Sequence, residues 1–599
     1  MTVRSVATSL LLTALCGTAP IGCREPVPPT PTKLYEVADN AWYEGNLSRL
    51  AISQDGRQAL FRLFGQPHLV ALASGQEDQA ALAKGLDQVA DAAFCGPTVV
   101  LRNGRRGAEH GWFEPQGDQL QLVPSLPEDA RVTCSADGKS MAYYRSAQTR
   151  AGVFAGRPPD FKNYPLDGDA SAAAFTPDGS GLLATSINDA GVSSLVEITL
   201  STGATRTIAK DLDMMPGSNT IGVSSNGRHI YLALASPGAP DNAARHQPMA
   251  MRYLQIYELD AATGARRSIV ATDQDNYDPN VVEGSLYWSR VLTRKAIAVL
   301  PASGGDARDV LEGADLPMWS PDGRRMSYTY DRDRMADGAL PMDVGVISVD
   351  SNAHRTSEPT AFVTGYHEDF TAAWSPDGHW IAWHSHRPPT PVPFYESPGH
   401  TDDIYLRVAE DRKAPELRLT DFGWEVGPAY WAPDGRRLLF SGWEKGGTPF
   451  IDHSWIATID PKSGKLLHAD RVPVPVGMRS THWAIWSPDG KEIAIEDDEG
   501  DGKRILWVMH PDGSHARKLA EYTGNTYGAL DWSPDGKTIV YAGLADGRNQ
   551  LFTIPSAGGA PQQFTHDPAN VLHPRFSPNG RWIGVSHLEK SHQIWREGL

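Results

Sequence analysis

At 599 residues, the chain exceeds what one hydrophobic core usually organises, so more than one domain is expected. Its formal net charge of −17 provides no electrostatic footprint for nucleic-acid binding, and that class is set aside. The 57 glycines and 45 prolines are spread along the chain, which speaks for many turns rather than one linker.

The first 25 residues, MTVRSVATSLLLTALCGTAPIGCRE, have the layout of an export signal. Arg4 precedes an apolar segment around Val6–Leu15, and small residues follow. Thr8, Ser9 and Thr13 interrupt that segment and Pro20 follows it, which argues against a permanent membrane helix. Pro20-Ile21-Gly22-Cys23 resembles the bacterial lipoprotein signal, in which a small residue precedes a cysteine that is acylated. The resemblance implies a signal peptide at 1–22, lipidation of Cys23 and a linker at 23–32. An ordinary signal peptide cleaved nearby is the other reading. Acyl chains, at about 0.8 kcal/mol per buried methylene, would be the only membrane attachment. Of the cysteines, Cys95 and Cys134 then remain; in an oxidising compartment they either pair or stay as two buried thiols.

From Ile52 onward a five-residue pattern recurs. It reads ISQDG at Ile52–Gly56, CSADG at Cys134–Gly138, FTPDG at Phe175–Gly179 and VSSNG at Val223–Gly227. WSPDG follows at Trp319–Gly323, Trp374–Gly378, Trp486–Gly490 and Trp532–Gly536, with WAPDG at Trp431–Gly435 and FSPNG at Phe576–Gly580. Each is a hairpin corner: Pro presets φ, Asp or Asn suits the next position, and Gly takes the left-handed one. Gly323, Gly378, Gly435, Gly490, Gly536 and Gly580 are therefore structural turn residues. Short alternating strands follow each corner, such as KTIVYAG and RRLLFSG, then a third strand, a second turn and a fourth short segment. Four strands with two turn signals describe a propeller blade.

The 82 residues from Gly56 to Gly138 and the 96 from Gly227 to Gly323 each need a hidden blade. CGPTVVLRNG from Cys95 and VVEGSLYWSR from Val281 supply them. The expected fold is all-β, with about twelve four-stranded blades in two β-propellers. Six plus six is favoured, five plus seven is the alternative, and the rings are placed at 33–306 and 307–599. HQIWREGL at the end of the chain reads as the third strand of the last blade. Arg308–Gly313 would be its fourth strand, and Lys33–Asn40 would close the first ring likewise, removing open sheet edges.

The WSPDG corners and the strand after them resemble the TolB-type, WD40-like β-propeller repeat family of bacterial envelope proteins. The resemblance covers nearly all of the mature chain and is strongest from about Val310. It implies a periplasmic or cell-surface protein that binds a protein or a glycan.

The chain holds no Gly-x-Ser-x-Gly, so serine peptidase activity is not expected.

Opposite the corners, the start of strand one and the loop between strands two and three share a rim. That loop has six residues in LADGRN, twelve in WEKGGTPFIDHS and eighteen in HRPPTPVPFYESPGHTDD, and insertions on one rim of a scaffold are where sites are built. The candidate binding rim is His367, His384, His386, Asp403, Trp424, Trp443, His453, His482, Asp497 and Asp498. Three histidines and a carboxylate would suit a transition metal, but only His384-Ser-His386 is spaced as a pair on one strand face. No metal ligand set or catalytic residue is assigned, and a divalent ion is the one cofactor left open. The run from Glu496 to Asp501 lacks the downstream glutamate of an EF-hand and reads as a solvated acidic loop. The preferred function is an exported envelope lipoprotein that binds a protein or glycan. The alternative is a metal-assisted polysaccharide lyase or hydrolase using the His-rich rim.

Overall fold

The computed structural model describes residues 31–599 apart from several segments, the longest being 39–49, 78–88, 104–111, 146–151, 236–253, 332–341, 388–401 and 444–452. Every regular element among the described residues is a β-strand. Ten sheets contain four strands each, and each strand pairs antiparallel with the next in sequence. An eleventh sheet has six strands and, as shown below, holds two more blades.

Blades 1 to 5 begin at Ala51, Val89, Ala130, Asp169 and Gly222, and blades 7 to 11 at Ala314, Glu368, Glu425, His482 and Leu530. Both faces of the middle strands are apolar because each blade is sandwiched between two others. In blade 8, every residue of Trp380–His386 is buried. The cores lie between blades rather than within them. Leu60 and Leu69 of blade 1 pack with Leu101 and Phe113 of blade 2, and Trp380 and Leu406 of blade 8 pack with Leu438 and Phe440 of blade 9. Two clusters close the circles. Tyr287 and Ile594 pack on Leu50 and Ile52 of blade 1, while Ile297 and Val299 pack on Ala314 and Met326 of blade 7. The result is two six-bladed rings, blades 1–6 and 7–12.

The six-stranded sheet joins them. Ser285–Pro301 and Trp582–Gly598, 17 residues each, pair antiparallel from Ser285↔Gly598 to Pro301↔Trp582 without a register shift. Blade 6 consists of Asp275–Val282, the first half of Ser285–Pro301, the second half of Trp582–Gly598, and Thr32–Ala38. Blade 12 consists of Asn570–Phe576, the first half of Trp582–Gly598, the second half of Ser285–Pro301, and Arg308–Glu312. The outer strands at Thr32–Ala38 and Arg308–Glu312 close the two rings as the repeat implied. The reading of HQIWREGL as the third strand of the last blade is corrected: it is the third strand of blade 6, and residues 295–301 take that place in blade 12. The reason is length. Each strand continues straight past its own blade, and the antiparallel ladder is satisfied only by the other.

His587 pins this closure. Its Nδ1 lies 2.7 Å from Asp309 Oδ1 and its Nε2 3.1 Å from Asp567 Oδ1. Bonding to Asp567 and then to Asp309 outweighs burial and raises the imidazole pKa to about 9, so the group is cationic at neutral pH.

The corners follow one hydrogen-bond plan. Corner glycines take φ of 63° at Gly56 to 72° at Gly536, a region that penalises any Cβ. The second corner residue contributes a cap that the proline and glycine signals alone do not predict. Ser320 Oγ donates to Asp322 Oδ1 at 2.6 Å and accepts the Arg325 amide at 2.9 Å. Ser487 and Ser533 repeat the same bonds. These bonds hold the corner carboxyls of Asp322, Asp489 and Asp535 below the usual range. The corner prolines also face the next blade: a Cβ on Gly323 would stand 3.7 Å from Pro578 Cδ, and one on Gly580 3.7 Å from Pro534 Cδ.

Cys95 and Cys134 form a disulfide, with Cα atoms 5.1 Å apart, between the corners of blades 2 and 3. It spans 39 residues, which in the chain-entropy account stabilises by about 4 kcal/mol. Replacing both cysteines with serine should lower the denaturant midpoint of the first ring and leave that of the second in place; equal shifts in both would contradict this.

Candidate functional site

On the rim opposite the corners, the inner strands of the second ring bulge. Leu316, Thr371, Trp483 and His573 have φ of 51°, 49°, 46° and 49°, all three residues before the corner aromatic of their blades. Non-glycine residues seldom take this conformation. It is stabilised by the preceding blade, whose second strand offers a hydroxyl to the bulge amide. Leu316 N donates to Ser586 Oγ at 2.9 Å, Thr371 N to Thr329 Oγ1 at 3.3 Å and Trp483 N to Ser441 Oγ at 2.9 Å.

Blade 8 carries the densest chemistry on this rim. His384 and His386 lie on one face of Trp380–His386. His384 is 9% exposed and stacks on Phe370, its cross-strand partner, with centroids 4.6 Å apart. Its Nδ1 is buried without a hydrogen-bond partner, and desolvation lowers the imidazole pKa to about 4, so the ring is neutral. His386 Nδ1 lies 2.6 Å from Asp402 Oδ1. That pair is a hydrogen-bonded His–Asp dyad at the opening of the loop at 388–401. Asp403 points elsewhere: it accepts Thr420 Oγ1 at 2.8 Å and Arg418 Nε at 2.9 Å, and burial raises its carboxyl pKa despite these partners.

The acidic run is corrected from loop to strand. Ile493–Gly500 is the second strand of blade 10. Glu496 and Asp497 are 1% and 0% exposed. Tyr522 Oη donates to Glu496 Oε1 at 2.5 Å. Asp497 accepts the amide of Ser480 at 2.9 Å and that of Arg479 at 3.1 Å, which staples the approach to strand one. Asp498 pairs with Arg504 at 2.8 Å. The alternation of Ile493, Ile495 and Asp497 was a strand signal, masked by the density of charge.

His453 opens the third strand of blade 9, and its Nε2 lies 2.6 Å from Arg471 Nη2. His482 and Trp443 are described by their backbone alone, paired with Glu496 and Glu425. His367 and Trp424, and the long loops at 332–341, 388–401 and 444–452, lie outside the described residues. Thus His384, His386 and Asp402 come together, whereas Asp403, Asp497 and Asp498 each serve their own blade. Among the described residues, no group of three or more His, Cys, Asp or Glu is placed to hold a metal ion. The partners Arg418, Thr420, Arg471 and Arg504 were not singled out in the sequence, because each is a distant residue brought near by strand pairing.

No family profile matches the chain. Over 111 residues it is 31% identical to the uncharacterized protein Atu1656 of Agrobacterium fabrum, covering 18% of this chain and 37% of that one. Over 120 residues it is 32% identical to the Tol-Pal system protein TolB of Anaeromyxobacter dehalogenans, covering 20% and 23%. The chain spans less than two thirds of the length of these relatives. Among solved structures, the putative TolB from Agrobacterium tumefaciens is 20% identical, covers 50% of this chain and 99% of its own, and superposes with a TM-score of 0.35. Over that 120-residue stretch the repeats of this chain are similar in sequence to those of TolB.

Proposed function

We propose that the protein is an exported, lipid-anchored β-propeller module of the bacterial cell envelope that binds a protein or glycan through the rim of its second ring. The observation that carries this reading is the contrast between the two ends of the blades. At the corner end, turns of one design satisfy their own donors and carboxylates, as Ser320, Asp322 and Arg325 do, and leave little to recognise a ligand. At the other end stand His384, whose Nδ1 is buried without a partner, and the His386–Asp402 pair. Envelope location and the kind of partner rest on the similarity to TolB and on the export signal. In a cross-linked pull-down from envelope extracts, shortening the loop at 388–401 should abolish capture of the partner. Lys537→Glu, on the corner face with an 81% exposed side chain, should leave capture intact. Retention by the shortened chain, or loss with the corner variant, would refute the assignment of the face.

A further inference from the structure

The residue before each corner aromatic forms a layer across the axis of its ring. In the second ring these residues are Met318, Ala373, Tyr430, Ile485, Asp531 and Arg575. Blades 9 and 12 stand opposite each other in a circle of six, yet Arg575 Nη2 of blade 12 donates to Tyr430 Oη of blade 9 at 2.8 Å. The same guanidinium donates through Nη1 to Leu530 O of blade 11 at 2.7 Å and to Pro574 O at 2.8 Å. Its Nε lies 3.1 Å from Met318 Sδ of blade 7. Met318 in turn packs against three separate interblade clusters, which only a side chain at the axis can do. Asp531 accepts the Phe576 amide at 2.7 Å and supplies the nearby negative charge.

Ala373, Tyr430, Ile485 and Arg575 are 2%, 8%, 5% and 6% exposed, and Met318 and Asp531 are partly exposed. The corresponding residues of the first ring are Ala51, Phe94, Thr133, Ala174, Gly222 and Asn280, two residues after the Asp278 bulge of blade 6, and all but Gly222 are partly exposed. None of these six can form an ion pair, and most are small.

We propose that the second ring is sealed on its axis by the Met318–Tyr430–Arg575 bridge, whereas the first ring is open at the same level. The second ring is then a one-sided cup. Whatever its rim captures is held from that face and stops above Arg575, and no polymer threads the ring. The seal joins blades with no common edge, so it also fixes the diameter of the circle. Hydrogen bonds to a buried cation are among the stronger kinds, and this one replaces the water that would otherwise fill a channel.

The test is thiol labelling of the full chain, read by peptide mass at the chosen position so that the native cysteines do not interfere. Ala174→Cys in the first ring should react with iodoacetamide at least tenfold faster than Ala373→Cys in the second. Adding Arg575→Ala to Ala373→Cys should raise its labelling rate toward that of Ala174→Cys, with circular dichroism checking the fold. Labelling of Ala373→Cys as fast as Ala174→Cys in the otherwise native chain would overturn the seal. That comparison holds even if Arg575→Ala fails to fold.

Discussion

Ending the chain after Lys590 should unfold the first propeller and spare the second, although the deletion falls at the far end of the second. The lost residues contain the third strand of blade 6, and Thr32–Ala38 loses its partner with them. Leu286, Tyr287 and Trp288, now 0%, 4% and 0% exposed, would face water. At about 1.5–3 kcal/mol for each large apolar side chain, their exposure alone rivals the net stability of a typical domain. Blade 12 keeps all its pairings, because its share of the strand ends at Leu588. Hydrogen exchange read by mass spectrometry should show loss of protection from Ala51 to Val282 and retention from Ala314 to Phe576. Loss confined to the second ring would refute the shared ladder. Conversely, a fragment 307–599 lacks residues 295–301 and should not fold, whereas one that begins at Ser285 should.

The largest effect of pH is expected on the acid side. His384 and His573 are buried with pKa lowered to about 4 and about 3, in both cases first by desolvation. Around His573 stand Arg575, which adds to the shift, and Ser586, whose hydroxyl lies 3.0 Å from Nδ1. Around His384 stand Asp402, which opposes the shift, and His386, which adds to it. In the unfolded chain both imidazoles titrate near 6.5, so between that pH and their native values the unfolded state binds more protons. Stability is therefore fully present above about 6.5 and is lost as pH falls through 4. Each histidine accounts for about 3 kcal/mol by pH 4. Asp531 works in the opposite direction, since burial raises its pKa to about 6 and its contribution is lost as pH rises from 4 to 6. Denaturant titrations at pH 7 and pH 4.5 should show a fall in stability for the native chain. The difference should shrink in the variant carrying His384→Gln and His573→Gln. An unchanged difference would mean that other groups govern the acid limit.

Much of the fold could be read from the corners, because a turn that needs a proline, an acid and a left-handed glycine within five residues has few alternatives. The twelve blades and both outer closing strands followed from that spacing. What stayed hidden was a choice between equals. HQIWREG and residues 295–301 are both alternating strands of ordinary composition, and nothing local says which circle each completes. The rim was legible only as a region. His384 and His386 share a strand face by the period of two, so their proximity could be expected. Asp497 could not be told from a solvated acid, because its partners are the amides of Arg479 and Ser480, which carry no side-chain signature. Nor could the contact between Arg575 and Tyr430, 145 residues apart, be inferred without the diameter of the ring.

The interlocked pair Ser285–Pro301 and Trp582–Gly598 has a consequence for biosynthesis. A ribosome finishes the first circle's own repeats long before it reaches residue 598, and at about 5–20 residues per second the wait is roughly 15 to 60 s. Throughout that interval the Ser285–Val291 edge has no neighbour, and an unpaired strand edge is open to any other strand it meets. The half of the protein made first is thus the half that finishes folding last.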